Sequence, residues 1–73
     1  MQRGILVLIS YEPLWETMRE KEVTTYALIN QYGFSANTIN RLKHGKSITM
    51  FTLESLCKAL RCTPNEIIEF LDD

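Results

Sequence analysis

Small, amide and guanidinium side chains share one face of the segment 35–43 when that segment is drawn as a helix. An Arg side chain can hold guanine, and an Asn side chain can hold adenine, through paired hydrogen bonds. A helical hairpin with an ordinary polar face would carry the same residues, so the spacing favours base contact and leaves the alternative open. The residues of this face are Ala36, Asn37, Asn40 and Arg41.

The charges of the chain are unevenly distributed. Nine acids and eight bases give 73 residues a net charge of –1. Residues 1–22 hold four acids and three bases, and residues 54–73 hold five acids and two bases, whereas residues 23–53 hold three bases and no acid. An acid-free surface would not repel phosphate. A core segment of low charge would give the same distribution, and charge alone does not separate the two.

The sequence contains few residues that could serve in catalysis or bind a metal ion. His44 is the single histidine, Cys57 and Cys62 are the two cysteines, and the sequence has no glycine-rich phosphate loop. No zinc-ligand spacing is present. A spacing of five residues is not expected to bring two thiols together on a helix. We therefore expect no enzyme activity, cofactor, metal site or small-molecule ligand.

The length and composition predict one small domain. The chain is 45% apolar and 23% charged, which argues against disorder. Its longest apolar run, residues 5–9, is far shorter than the roughly 20 residues that a membrane-spanning helix needs. No secretory signal is evident. We therefore expect no membrane association and a cytoplasmic location.

Capping residues and apolar spacing predict five short helices. The fourth helix is expected to begin at Thr52, with Phe51 packing onto Leu56 across its first turn. The fifth combines a capping box with proline at the first helical position, in the sequence Thr-Pro-Asn-Glu from residue 63. Gly45 can end the third helix in the left-handed conformation. The residues that mark the five starts are Pro13, Thr24, Ser35, Thr52 and Thr63.

The branched apolar segment Ile5–Ile9 predicts a β-strand at the beginning of the chain. A strand needs a hydrogen-bonding partner, and no second strand is evident in the rest of the sequence. The segment could be a frayed tail, could lie along the core, or could pair with the same strand of a second subunit.

Residues 24–46 resemble the helix–turn–helix of the Cro/CI-type family of bacterial and phage transcriptional regulators, also called the XRE family. The resemblance extends over about residues 9–71, and the opening residues 9–15 are similar to a branch of small stand-alone members. It implies an all-α, compact five-helix bundle of the lambda-repressor-like DNA-binding type over residues 9–73. Residues 1–8 would be an extension or a dimerisation strand. The resemblance also offers a competing dimer surface, the fourth and fifth helices, where Phe51, Phe70 and Leu71 could be exposed. The resemblance rests on Thr24, Thr25, Leu28, Gly33, the Ser35–Ile39 run, Leu42, and His44 to Lys46, and continues through Thr52, Leu53, Leu56, Cys57, Leu60, Pro64, Ile67 and Ile68.

The resemblance also implies roles for individual residues. The recognition helix would be residues 35–43, with base contacts by Ala36, Asn37 and Arg41 and a weaker candidate in Asn40. Side chains around this helix would contact phosphates, which position a protein on DNA without specifying sequence. These phosphate candidates are Thr25, Ser35, Lys43, His44 and Lys46.

Together these features predict a sequence-specific DNA-binding transcriptional regulator. The expected form is a homodimeric repressor that reads a near-palindromic operator in double-stranded DNA. The alternative is a protein-interaction or antitoxin-like module that uses the same fold. The acid-free segment 23–53 favours DNA, because an interaction module has no need to exclude every carboxylate.

Overall fold

Four α-helices and a two-stranded sheet make up residues 7–72, the part of the chain described by the computed structural model. No helix in this part has the length and apolar character needed to cross a membrane. The elements in chain order are β1 (Val7–Ser10), α1 (Glu12–Lys21), α2 (Thr25–Asn30), α3 (Ala36–Lys43), α4 (Met50–Leu60), a single 3-10 turn (Pro64–Glu66) and β2 (Glu69–Asp72).

The predicted caps of α2 and α3 are confirmed. The Thr24 hydroxyl accepts a hydrogen bond from the Ala27 amide at 3.0 Å, and the Ser35 hydroxyl accepts one from the Thr38 amide at 3.0 Å. Each bond satisfies an amide that has no partner within the helix. These two caps set where the helix–turn–helix pair begins and where its second helix starts.

The fourth helix begins earlier than the sequence predicted. Thr49 is its N-cap, and the Thr49 hydroxyl accepts a hydrogen bond from the Thr52 amide at 3.1 Å. Thr52 therefore lies inside the first turn, and its assignment as the cap was wrong. Phe51 is 75% exposed, so the expected packing of Phe51 on Leu56 is also wrong.

The predicted fifth helix is replaced by one turn and a strand. The capping interaction exists, because the Thr63 amide donates to Glu66 Oε1 at 3.0 Å, yet the helical turn ends at Glu66. Ile67 is then fully buried, and the chain continues into β2. Pairing with β1 gives hydrogen-bond partners to the backbone groups of β2 that face β1, in place of those that a further helical turn would have supplied. The all-α five-helix expectation is thus corrected to four helices with a short sheet.

The partner of β1 is the end of the same chain. β1 and β2 pair antiparallel, with Leu8 opposite Leu71 and Ile9 opposite Phe70. The expectation that the chain contains no second strand was therefore wrong. Val7 to Ile9 of the predicted strand lie in β1, whereas residues 5 and 6 fall outside the described residues, as do residues 1–6 of the expected extension.

The core lies where the helices meet. Leu28 of α2 packs with Ile39 and Leu42 of α3, which fixes the angle between the two helices. Burying one such side chain stabilises the fold by about 1.5–3 kcal/mol. The side chains with essentially no exposed surface are Leu14, Leu28, Leu42, Leu56, Leu60 and Ile67.

Candidate nucleic-acid interface

The recognition helix predicted from the sequence has one buried and one exposed face. Ile39 and Leu42 of α3 are buried in the core. Ala36, Asn37 and Asn40 are exposed. A straight helix with two amides and one small side chain on its outer face can enter the major groove and meet base edges. The structure therefore brings three of the four predicted base-contacting residues together on one accessible surface.

Arg41, the fourth of these residues, is half-buried and bonded to its own chain. Its Nε and Nη2 atoms donate to the Ser47 carbonyl oxygen at 3.0 Å and 2.8 Å. Nη2 also lies 3.4 Å from the Ser47 hydroxyl. The two bonds occupy the edge of the guanidinium formed by Nε and Nη2. A paired edge of this kind is what an arginine uses to bind guanine through two hydrogen bonds. A guanine contact by Arg41 would compete with the Ser47 carbonyl.

His44 ends α3 and bonds back to it. Its Nδ1 atom lies 2.8 Å from the Asn40 carbonyl oxygen. Because a carbonyl oxygen only accepts, Nδ1 carries the proton of this bond, and Nε2 remains for a second partner. The exposed imidazole closes the helix through Nδ1, and Nε2 can donate to a neighbouring phosphate only when the ring is the doubly protonated imidazolium.

The other residues predicted to contact phosphates differ in exposure and in whether their polar groups are already hydrogen-bonded. The Ser35 hydroxyl caps α3 and donates to Thr38 Oγ1 at 2.9 Å, so its hydrogen is already used. Thr25 is half-buried at the first residue of α2. Lys43 and Lys46 are exposed and form no ion pair within residues 7–72. Their charges are available to an anion.

The loop 44–49 after α3 is held by contacts that the sequence did not reveal. Gly45 has a φ of 69°, which takes the chain out of the helix, and the Lys46 amide donates to the Arg41 carbonyl at 2.9 Å. The Tyr11 hydroxyl donates to the Lys46 carbonyl at 2.6 Å. These residues are 35 positions apart, so no local pattern could indicate the contact. Burial raises the pKa of Tyr11, although the nearby Arg41 charge opposes the rise.

The two cysteines lie on either side of the turn that ends α4. Arg61 adopts a left-handed conformation with φ 55° there, and the Cys62 amide donates to the Cys57 carbonyl at 3.0 Å. Both cysteines are free and half-buried. Burial raises the pKa of both thiols, which keeps them protonated.

A capped helix pair with an acid-free, amide-bearing outer helix defines a helix–turn–helix DNA-binding domain. The chain belongs to the Cro/C1-type HTH DNA-binding domain family, whose model matches residues 13–73. This family and fold are those of transcriptional regulators, which are generally not enzymes. The resemblance seen in the sequence is thereby confirmed.

Two known proteins are similar to this chain. One is an uncharacterized HTH-type transcriptional regulator of Bacillus subtilis strain 168, YozG, which is 33% identical over 58 residues. That match covers 77% of this chain and 69% of YozG. The other is the crystal structure of the transcriptional regulator VanUg, at 25% identity and a TM-score of 0.84, covering 99% of this chain and 93% of that chain. The chain is thus a DNA-binding transcriptional regulator of the HTH type.

Proposed function

We propose that the protein is a homodimeric repressor that reads a near-palindromic operator through α3. The observation that carries this proposal is the exposed face of α3. It offers two amides beside lysines that form no ion pair among residues 7–72, within an acid-free stretch of sequence. Amides recognise base edges and cations bind phosphates, so both parts of sequence-specific binding have candidates here. A cytoplasmic location goes with this function, because operator DNA is found there.

Base contacts are assigned to the outer face of α3. Asn37 and Asn40 supply amides that match the adenine edge, and Ala36 leaves room for the helix to enter the groove. Arg41 lies on the same helix, and its sequence-predicted guanine contact requires the guanidinium to leave Ser47. We therefore assign base reading to the amides first.

Phosphate contacts surround these residues. Lys43 and Lys46 supply charge, and His44 supplies an Nε2 donor when its ring is the imidazolium. The Thr25 hydroxyl supplies a weaker, uncharged contact, and a phosphate contact by Ser35 requires its hydroxyl hydrogen to leave Thr38 Oγ1. Because α2 and α3 are locked by their shared core, these groups would meet the DNA backbone as one rigid unit.

Two protomers are needed because one recognition helix spans too few base pairs to select one genomic site. We place the dimer contact at the free edge of β1. The two-stranded ribbon exposes apolar side chains on both faces, with Leu8 and Phe70 at 53% and 63% exposure. A two-stranded sheet of this size gains stability when further strands join it.

The charges of the two strands favour the β1 edge over the β2 edge. β1 reads Val-Leu-Ile-Ser and has no charge, whereas β2 reads Glu-Phe-Leu-Asp. Antiparallel pairing of β2 with a second β2 would bring carboxylates together, and like charges opposite each other destabilise a sheet. Pairing of β1 with a second β1 has no such cost and gives the two-fold symmetry of a palindrome.

Sedimentation velocity tests this contact with two matched substitutions. Leu8→Glu places a charge at the β1 edge, and Phe51→Glu places one on the exposed surface of α4. The proposal expects Leu8→Glu to sediment as a monomer and Phe51→Glu to remain a dimer. The reverse result would move the interface to the helical surface, as the competing prediction from the sequence has it.

A second candidate function is a protein-interaction module. Its support is a groove of about 540 Å³ between the α2–α3 turn and α4, lined by Tyr32, Phe34, Phe51 and Lys58 among others. Exposed aromatic rings of this kind suit a protein partner. This role does not need the exposed amides of α3.

Gel-shift assays with genomic fragments, followed by sequencing of the bound fragments, separate the two functions. The DNA-binding proposal expects a shared near-palindromic site among the recovered fragments. Recovery of fragments without any common site, at the affinity of random DNA, would contradict it and favour the interaction module.

A further inference from the structure

Two neighbouring carbonyl groups of the loop 44–49 are held by two side chains, one from the N-cap of α1 and one from α3. The Tyr11 hydroxyl donates to the Lys46 carbonyl at 2.6 Å. The Arg41 guanidinium donates twice to the Ser47 carbonyl, at 3.0 and 2.8 Å. The Lys46 amide adds a third link through its bond to the Arg41 carbonyl at 2.9 Å. The backbone on both sides of the Lys46 side chain is therefore fixed.

Both anchors are themselves rigid. Tyr11 is 4% exposed and belongs to the core cluster, so the packing of its ring sets the position of its hydroxyl. Arg41 is half-buried on α3, beside the buried Leu42. The loop between these anchors is thus positioned relative to the recognition helix by the core itself.

We propose that Tyr11 and Arg41 are positioning residues for DNA binding, which hold the Lys46 ammonium at the end of α3 where it meets a phosphate. This inference rests on the proposed DNA-binding function. Neither Tyr11 nor the Arg41 guanidinium needs to touch the DNA in this arrangement. Fixing the loop before binding avoids the entropy cost of ordering it in the complex.

The salt dependence of DNA binding distinguishes positioning from a general effect on stability. Each phosphate contact contributes about –0.9 to the slope of log K against log salt concentration. Lys46→Ala should therefore make the slope shallower by about 0.9 per protomer. Tyr11→Phe keeps the ring and removes only the hydroxyl, and it should reduce the slope by a similar amount although it removes no charge. Affinity is measured by fluorescence anisotropy with a labelled random-sequence duplex, at temperatures well below unfolding.

A double-mutant cycle makes this test specific to Lys46. In a Lys46→Ala background, Tyr11→Phe should leave the slope unchanged, because the contact that it positions is already gone. Tyr32→Phe is the matched control, since its ring is exposed and its hydroxyl is not bonded to the loop. A Tyr11→Phe slope equal to the parent slope overturns the inference, as does a Lys46→Ala slope equal to the parent slope.

Amide hydrogen exchange tests, without DNA, whether Tyr11 and Arg41 hold the loop 44–49. Tyr11→Phe and Arg41→Lys should both accelerate exchange of the Lys46 amide, while the Thr38 amide at the α3 cap stays protected. Unchanged exchange at Lys46 in both variants would show that the anchors do not hold the loop. If the parent protein binds no DNA, the proposed function is overturned and the positioning role falls with it. Exchange of the Lys46 amide can still respond to both substitutions in that case, so the two failures give different results.

Discussion

The Arg41 guanidinium donates two hydrogen bonds to the carbonyl oxygen of Ser47, six residues further along the chain. The one arginine of α3 is thereby bonded to the loop that follows the helix, and one of the two paired edges of its guanidinium is occupied. For this reason the proposed function assigns base recognition to Asn37 and Asn40 first, and gives Arg41 a part in shaping the surface.

Arg41→Ala should therefore weaken binding to all DNA sequences rather than to one site. Loss of the guanidinium frees the loop and removes a positive charge, and neither effect depends on base identity. Affinities are compared for the preferred duplex and for a set of single-base-pair variants. A loss confined to one base pair, of about 1–3 kcal/mol, would instead support the guanine contact predicted from the sequence.

The lysines beside α3 should account for part of the salt dependence of binding. Lys43→Ala should make the slope of log K against log salt shallower by about 0.9 per protomer. Lys58→Ala is the control, because Lys58 is paired with Glu54 at 3.6 Å on α4. If Lys58→Ala reduces the slope as much as Lys43→Ala does, the assigned DNA-facing surface is incorrect.

The stability of the protein should depend on Tyr11 at high pH. Burial raises the pKa of Tyr11 above its ordinary value of 10.0. The unfolded state therefore ionises first, so the free energy of unfolding is unaffected below about pH 10 and falls as pH rises through the folded pKa. Chemical denaturation of the parent and of Tyr11→Phe should show a stability difference that shrinks over this range. A difference that stays constant would contradict the assignment.

The thiols of Cys57 and Cys62 should react slowly in the folded protein. Burial raises the pKa of both above the ordinary value of 9.0, and the reactive thiolate is correspondingly scarce at neutral pH. Alkylation by iodoacetamide, followed by mass spectrometry, should be much slower than in denaturant. Equal rates in the two conditions would show that burial does not protect these thiols.

Local features of the fold could be predicted from the sequence because they depend on neighbouring residues. Thr24 and Ser35 cap helices through bonds to amides three positions away, and Gly45 ends α3 by its own backbone freedom. The exposed face of α3 follows in the same way from the spacing of Ile39 and Leu42.

Features that join distant parts of the chain could not be predicted in this way. The fifth helix predicted from the Thr63 capping box was wrong, because the capping box starts only one 3-10 turn and the chain then pairs as β2 with β1 at the opposite end of the sequence. The bond from Tyr11 to Lys46 likewise depends on the packed core. The position of Arg41 on the predicted helix could not show that its side chain bonds to the Ser47 carbonyl.

The proposed recognition of bases by the amides of α3 is tested most directly by the affinity of two alanine variants for the operator site recovered in the gel-shift selection. Asn37→Ala and Asn40→Ala should each weaken binding to that site by about 1–3 kcal/mol and relax the preference at one base pair. Binding to random DNA should barely change. Asn30→Ala, which removes the same amide from α2, should bind as the parent does. If Asn37→Ala and Asn40→Ala both bind the selected operator as tightly as the parent, α3 does not read the DNA sequence through these residues.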